Sequence, residues 1–495
     1  MNSSVEGAAE EHRLHPVGML LAALSTVRRW IGAAALPGVV ALLNGEFGVR
    51  ILLLVLLGVA LLAILSAVWG VLSWQATTYR VSGGAFHFKQ GVLEKSERSL
   101  PLERVQSVDT VQGIVQRVFG VVEVRIETAG GRGEAEISLP ALSLGAAEAL
   151  RRELTSSIRQ AVPGAPEEPA PAMLRRLSVR DLLLAGLTSG QIGVAAAVVF
   201  GAWQAVDRVL PRDLVQRILE ALLPRSIFAV LLFIFAFALF AWVLAILGTV
   251  LAHAGFTLSR SADGKYLHIK RGLLERHEST VPLARIQAIK IVEGVLRQPF
   301  GLATIRVESA GFGAEEGVST ILFPLLPRGQ VGQFLRVTVP EFAAPLDQLD
   351  PLPTRAQRRY AFRSALPVLV LAAPYAVLFF PWGFAALLLV VPAALYGLLR
   401  YRAAGYGLDG DRLLLRFRRL ARTTVVSPRG RLQSRGYSVS PFQRRKGLAT
   451  LKVEVASGSG GAAFRLVDME AEDAEELVEA LSPQTARTAA RKLST

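Results

Sequence analysis

Long uncharged apolar runs alternate with longer polar stretches along this chain, and the alternation occurs three times. Ile51 to Trp74, Leu182 to Val206 and Ser226 to His253 contain no Asp, Glu, Lys or Arg. Each exceeds the roughly 20 apolar residues that a helix needs to cross a bilayer. Ser364 to Leu399 is too long for one crossing and is read as two, folded at Phe380-Pro381-Trp382-Gly383. Trp30 to Leu43 is short and interrupted by Pro37; it is read as a span because it completes a pattern of two spans ahead of each polar stretch. All six tryptophans lie in or at the edges of these runs, at the headgroup level that Trp favours.

The polar stretches read as small β-structures. In "VEVRIET", Val122, Val124 and Ile126 share one face, and Glu123, Arg125 and Glu127 the other. Period two with β-branched residues predicts a half-buried strand. "ATIRVES" (Ala303 to Ser309) and "TLKVEVA" (Thr450 to Ala456) repeat it, each followed by a glycine-rich turn. Upstream, "AFHFKQGVLEKSERSLP" and "YLHIKRGLLERHESTVP" predict pairs of strands around Gly91 and Gly272. "LGAAEALRREL" (Leu144 to Leu154) and "AEDAEELVEAL" (Ala471 to Leu481) predict closing helices. About seven short strands and one C-terminal helix suggest a small split β-barrel capped by that helix.

One phrase joins these pieces in every copy. Pro101, Arg104, Gln106 and Gly120 recur 181 residues later as Pro282, Arg285, Gln287 and Gly301. They recur again, 327 residues from the first set, as Pro428, Arg431, Gln433 and Gly447, without a gap in either alignment. "LAALST" at Leu21 to Thr26 also resembles "LAGLTS" at Leu184 to Ser189, so the repeat includes the membrane part. The expected organisation is α-helical membrane hairpins over residues 15–74, 174–253 and 358–402, followed by α+β domains over 75–160, 254–342 and 403–483. Residues 161–173 and 343–357 are expected linkers, and 484–495 a tail. In the phrase, Pro is expected to fix the start of a strand and Gly to supply a backbone conformation costly for other residues. Arg104, Gln106, Arg285, Gln287, Arg431 and Gln433 are the candidate loop or recognition residues. Either they hold the loop by bonding backbone carbonyls, or the arginines bind anionic headgroups; the first is preferred.

Charge sets the expected orientation. The net charge is +15, and a basic balance favours anionic surfaces. Arg28, Arg29, Arg80, Arg175, Arg176, Arg180, Arg355, Arg358, Arg359, Arg363, Arg400 and Arg402 flank the outer ends of the hairpins, while "NGEFGVR" and "FPWG" at two of the turns hold little positive charge. The middle turn, "DRVLPRDLVQRILEALLPR", is mixed in charge; its Leu210, Leu214, Ile218 and Leu222 predict a helix lying on the membrane. The positive-inside rule places the N-terminus and all three polar domains in the cytoplasm. The segment before His15 is polar and acidic, so no cleavable signal peptide is expected.

Enzyme chemistry finds little support. The chain has no cysteine, hence no disulfide, thiolate metal site or cysteine nucleophile. It contains no H-E-x-x-H, G-x-S-x-G or G-x-x-x-x-G-K-[ST] pattern, so no catalytic, cofactor-binding or metal-binding residue is assigned. Spans almost free of charge argue against a proton-coupled pump. His87 and His268, each followed two residues later by Lys89 or Lys270, are read as a solvated strand edge. Aromatic residues are not interleaved with the basic ones, so nucleic acid is not an expected partner.

The order G-x-L … P-L-x-R-[VI]-Q … R-x-F-G … V-x-[IV]-E-[TS]-A-G resembles the bacterial pleckstrin-homology (PH) domain of the YdbS/YdbT type. Three copies with paired spans resemble the YdbT-like multi-pass membrane proteins. Copies one and two also align at Gly91, Phe119, Ala129 and Gly130 with Gly272, Phe300, Ala310 and Gly311; copy three has Arg418, Lys446 and Ser457 where the glycine, the phenylalanine and the last glycine would stand. The resemblance implies three PH-like domains and a cell-membrane location, and supplies no catalytic residue. The expected function is a non-enzymatic scaffold binding anionic phospholipid or a membrane protein partner, such as a smaller single-PH-domain relative, in envelope defence or export. The alternative is a transporter or transport accessory for a lipid or amphiphilic peptide, suggested by Pro37, Pro367, Pro374, Pro381 and Pro392 in the spans.

Overall fold

The computed structural model describes residues 11–21, 23–24, 49–102, 105–128, 137–160, 172–190, 197, 201, 227–310, 320–457 and 461–482. The chain divides into two units: residues 1–129, 135–264 and 268–280, and residues 130–134, 265–267 and 281–495. Trp30 to Leu43, most of Leu182 to Val206, the helix expected at Leu210 to Leu222, and Arg104 lie outside the described residues.

The same order of elements occurs three times. In the first repeat β1 (His12–Arg13) precedes the apolar helix α1 (Val49–Gln75), and β2 (Thr78–Ser82), β3 (Ala85–Gln90) and β4 (Ser96–Pro101) follow it. Next come β5 (Val105–Gln112), the short α2 (Ile114–Val118), β6 (Val121–Thr128), β7 (Ile137–Ser143) and α3 (Leu144–Gln160). The second repeat has β8 (Ala172–Arg176), α4 (Val179–Leu187) and α5 (Ile227–His253). It continues with β9 (Thr257–Arg260), β10 (Tyr266–Arg271), β11 (Arg276–Pro282), β12 (Ile286–Glu293), β13 (Leu302–Ser309), β14 (Thr320–Pro327) and α6 (Arg328–Thr338). The third has β15 (Asp350–Pro351), then α7 (Ala356–Leu378) and α8 (Val390–Ala403). After them come β16 (Gly405–Asp409), β17 (Arg412–Arg418), β18 (Arg422–Pro428), β19 (Leu432–Ser438), α9 (Pro441–Arg444), β20 (Leu448–Val455), β21 (Ala462–Glu470) and α10 (Ala471–Ala480).

The first strand of every repeat therefore lies ahead of the apolar helices. His12 faces Tyr79, Met173 faces Ser259, and Asp350 faces Tyr406. The boundaries expected at 75, 254 and 403 open each polar domain one strand late, and the expected linkers 161–173 and 343–357 contain strand residues. A strand as short as Asp350–Pro351 has no periodicity to read.

Two sheets and a helix share each described core. In the first repeat Phe86, Phe88 and Leu100 of one sheet meet Val124, Ile126 and Leu139 of the other, closed by Ala147, Leu150 and Leu154 of α3. The alternation read from "VEVRIET" holds: Val124 and Ile126 are fully buried, while Glu123 pairs at 2.9 Å with Arg125 on the outer face. The third repeat is built alike, and Leu352, Ala356 and Tyr360 carry the beginning of α7 into its core.

Sheets run from one repeat into the next. The strand orders are β1-β2-β3-β4, then β7-β6-β5-β11-β10-β9-β8, then β14-β13-β12-β18-β17-β16-β15, and finally β19-β20-β21. The first four strands of repeats two and three are thus hydrogen-bonded onto the last three strands of the repeat before.

Among the described residues, Val230–His253, Ala356–Leu378 and Gly383–Ala403 are long and apolar enough to cross a membrane. Helix α5 has 27 residues, about 40 Å at 1.5 Å per residue. Helix α7 continues through Pro367 and Pro374. Helices α7 and α8, joined through a 3-10 segment at Trp382–Leu389, pack antiparallel at glycines. A Cβ at Gly397 would lie 2.4 Å from the Tyr360 carbonyl oxygen, and one at Gly383 would lie 2.6 Å from that of Tyr375. Small residues let helix backbones approach this closely in lipid.

Candidate functional site

The first half of the recurring phrase is a loop clamp. Leu102, Leu283 and Arg429, each following the phrase's proline, donate their backbone N–H to Gly84, Lys265 and Asp411 at 2.9, 2.8 and 2.7 Å. In repeat two the Arg285 carbonyl accepts from the Gln287 side chain at 2.9 Å, from the Ala310 N–H at 3.1 Å and from the Ser309 hydroxyl at 3.3 Å. The loop is held by glutamine on a backbone oxygen, whereas the Arg285 guanidinium is half-buried and pulled below its usual pKa by burial, with Tyr266 opposing. Arg431 donates to the Ala284 carbonyl of repeat two's loop and to Glu341, so the structure brings the third phrase onto the second. Gln433 is exposed, and Gln106 lies in β5 with its side chain outside the described residues. His268 shares a 3.1 Å hydrogen bond with Thr280 on the neighbouring strand.

The second half of the phrase ends in a left-handed glycine: φ is +65° at Gly120, +60° at Gly301 and +61° at Gly447. The Gly301 carbonyl accepts the N–H of Arg328, which opens α6, and that of Gly447 accepts the N–H of Ala471, which opens α10. Each of these turns therefore sets the closing helix. No atom lies within 4 Å of a Cβ placed at Gly301, so its substitution is governed by backbone strain alone. Gly301→Val is expected to lower stability by about 1–3 kcal/mol, and Gly301→Asn by less, because Asn tolerates this conformation. Thermal unfolding in detergent checks it; equal stability of the two variants would contradict the assignment.

The segment before that glycine carries exposed apolar side chains that sequence reasoning missed. Ile114, Val118 and Phe119 stand out in repeat one, Val295, Leu296 and Phe300 in repeat two, and Phe442 in repeat three. Val118 is 77% exposed, Phe300 70% and Phe442 71%, values that no core role explains. Each of these tips is bonded toward the end of an apolar helix. Arg117, beside Val118, donates to the Leu273 carbonyl at 3.4 Å, and the Leu273 N–H donates to Leu251 near the C-terminus of α5 at 2.9 Å. Gln298 accepts from Arg418, whose carbonyl accepts from Arg400 of α8 at 3.3 Å. The Phe442 carbonyl accepts from Arg359 of α7 at 3.1 Å.

At this last tip stands a charged collar. Asp468 is fully buried, has φ +61°, and accepts from Arg359 at 3.2 Å, from Arg363 at 2.9 Å and from Gln443 at 2.8 Å. Arg355 pairs with Glu470 beside it. The collar couples α7 to the strand it supports.

The two seams between repeats share one register. Arg276 faces Gln112 and Glu278 faces Thr110 at the first; Arg422 faces Glu293 and Thr424 faces Ile291 at the second. Shifted by the repeat lengths, these are the same pairs. Arg422 donates to the buried Glu293 at 2.9 Å, and Glu278 binds Arg151 and Lys270, each at 3.0 Å. Burial alone would raise the Glu278 pKa, but Lys270 and Arg151 outweigh it and hold the carboxyl below its usual range. Among the described residues no cluster of His, Asp or Glu could hold a metal ion.

Comparison with known proteins fits this repeat plan. The bacterial PH domain family matches residues 21–158, 196–338 and 365–485. The UPF0699 transmembrane protein YdbT of Bacillus subtilis (strain 168) is 34% identical over 484 residues, covering 94% of this chain and 97% of that protein. No solved structure matches.

Proposed function

This chain belongs to the bacterial PH domain family, and from that premise we propose that it is a non-enzymatic membrane scaffold. Its three PH-like domains lie on the cytoplasmic face, rest on anionic lipid headgroups and present their outer surfaces to membrane protein partners. The single observation carrying this reading is the set of exposed apolar tips, each bonded toward the end of an apolar helix. Apolar residues ringed by arginine suit the boundary between headgroups and acyl chains. Strand pairing supports the sidedness. The pairing of β1 with β2, β8 with β9 and β15 with β16 across each apolar region fits a chain that leaves and returns on one side. The arginine-rich flanks favour the cytoplasm as that side. A role in envelope defence or export is consistent with such a platform. Transport has less support, since α7 runs unbroken through two prolines.

The absence of native cysteine makes the test clean. Single cysteines at Val118 and Phe300 should react with a water-soluble maleimide in inside-out vesicles and not in intact cells. In nanodiscs, replacing zwitterionic by anionic lipid should slow that reaction several-fold. Labelling from outside intact cells would reverse the sidedness, and equal rates in the two lipids would remove headgroup binding.

A further inference from the structure

Among the described residues, two strands of the kinds that form the seams end their sheets. Strands β4, β11 and β18 are the same strand in successive repeats; β11 and β18 are each paired with the preceding repeat, and β4 ends its sheet. Strands β5, β12 and β19 are likewise equivalent; the first two pair with the following repeat, and β19 ends its sheet. Burial follows the pairing. Residues 424–428 of β18 are buried, whereas in β4 Glu97, Arg98, Ser99 and Pro101 are exposed. Five of the eight residues of β12 are buried, among them Ile286, Ala288 and Ile289, while no residue of β19 is.

We propose that β19 of one molecule pairs with β4 of a second copy, in the antiparallel register that both internal seams use. Continuity with those seams selects this occupant: among the described residues, β4 and β19 are the members of the two seam-forming strand types that end their sheets. Charged residues on an edge strand commonly serve to prevent pairing. That explanation does not fit here, because the equivalent strands carry Arg276, Glu278 and Arg422 and are paired nonetheless. The shared register puts Glu97 opposite Tyr437, as Glu278 is opposite Thr110 and Thr424 opposite Ile291. It sets Arg98 against Gly436, which has no side chain to crowd it, and brings Glu97 diagonal to Arg435, within reach of a long cation. The contact is head-to-tail, so copies extend into a row or close into a ring in the membrane plane. It is independent of whether the domains bind lipid headgroups.

Opposed residues of an antiparallel pair stand about 4.5–5.5 Å apart at Cα, within the span of a disulfide. Glu97→Cys and Tyr437→Cys, on two differently tagged full-length chains co-expressed in one membrane, should give a disulfide-linked dimer carrying both tags when isolated membranes are treated with copper phenanthroline and air as the oxidant. Glu97→Cys with Gln433→Cys, four residues out of register, should give at least tenfold less. Ser96→Cys with Ser438→Cys, also opposed, replaces the first pair if thermal unfolding shows either variant destabilised. No mixed-tag dimer from either opposed pair, equal yield from the off-register pair, or cross-linking to another protein instead would each overturn the proposal.

Discussion

Val124→Asp is expected to unfold the first repeat. Val124 is fully buried between the two sheets, among Phe86, Phe88, Ile126 and Leu139, with the helix α3 closing over it. A carboxylate there has no cation to pair with, and burying it unpaired costs several kcal/mol even after it protonates. A domain is stable by only about 5–15 kcal/mol, so this loss removes much of the margin. Residue 123, one position along the same strand, supplies the contrast. Its carboxylate points outward to Arg125 and Ser138, and Glu123→Ala should cost under about 1 kcal/mol. Limited proteolysis of the full-length protein in detergent measures both. Rapid cleavage within residues 78–160 for Val124→Asp alone is the expected result, and equal cleavage of the two variants would contradict the strand assignment.

Asp468→Ala should loosen the third repeat from its membrane helix. The carboxylate is fully enclosed and neutralises two guanidinium groups of α7 while accepting from Gln443. Breaking a buried pair from one side costs about 3–5 kcal/mol; partial exposure of Arg359 and Arg363 puts this case near the lower end. Alanine also meets the left-handed backbone at residue 468, where asparagine is tolerated. Asp468→Asn therefore isolates the charge, and should fall between the native protein and alanine in thermal stability. Native-like unfolding of both variants would mean that the collar is not a structural joint.

Much of this architecture was legible from residue patterns. Val122, Val124 and Ile126 gave their strand away because burial on one face forces period two. The phrase was visible because Gly120, Gly301 and Gly447 each need a conformation few residues accept, and natural substitutes are few. What escaped reading has a common cause: it depends on partners distant in sequence. Strand β15 is two residues long and exists through its pairing with Tyr406 and Gly405. The seams escaped because their opposed residues, such as Ile289 and Val426, lie far apart in sequence and no local pattern marks the pairing. Asp468 is one acid in a polar-apolar alternation, and nothing local distinguishes it from a solvated residue; its two arginine partners lie more than 100 positions away in α7. For the loop, the pattern treats the arginines and glutamines of all three copies alike, and the described copies differ. Glutamine holds the loop at Arg285, while Arg431 reaches across to another repeat.

The placement of each first strand ahead of the apolar segment, with its bonding partner after it, means that each first sheet closes only once that segment has been made. His12 and Arg13 are translated long before Tyr79 and Thr78, their bonding partners. Leu14, next to them, contributes to the first core, so that core waits with it. In the hairpin arrangement proposed above, only a chain that has gone into the bilayer and come back presents the second strand to the first. A segment stranded on the wrong side would leave β1 unpaired and the core short of a side chain, exposing apolar surface to proteases that recognise unfolded protein. In that arrangement, correct threading is recorded in the fold of each domain before the next apolar segment is made.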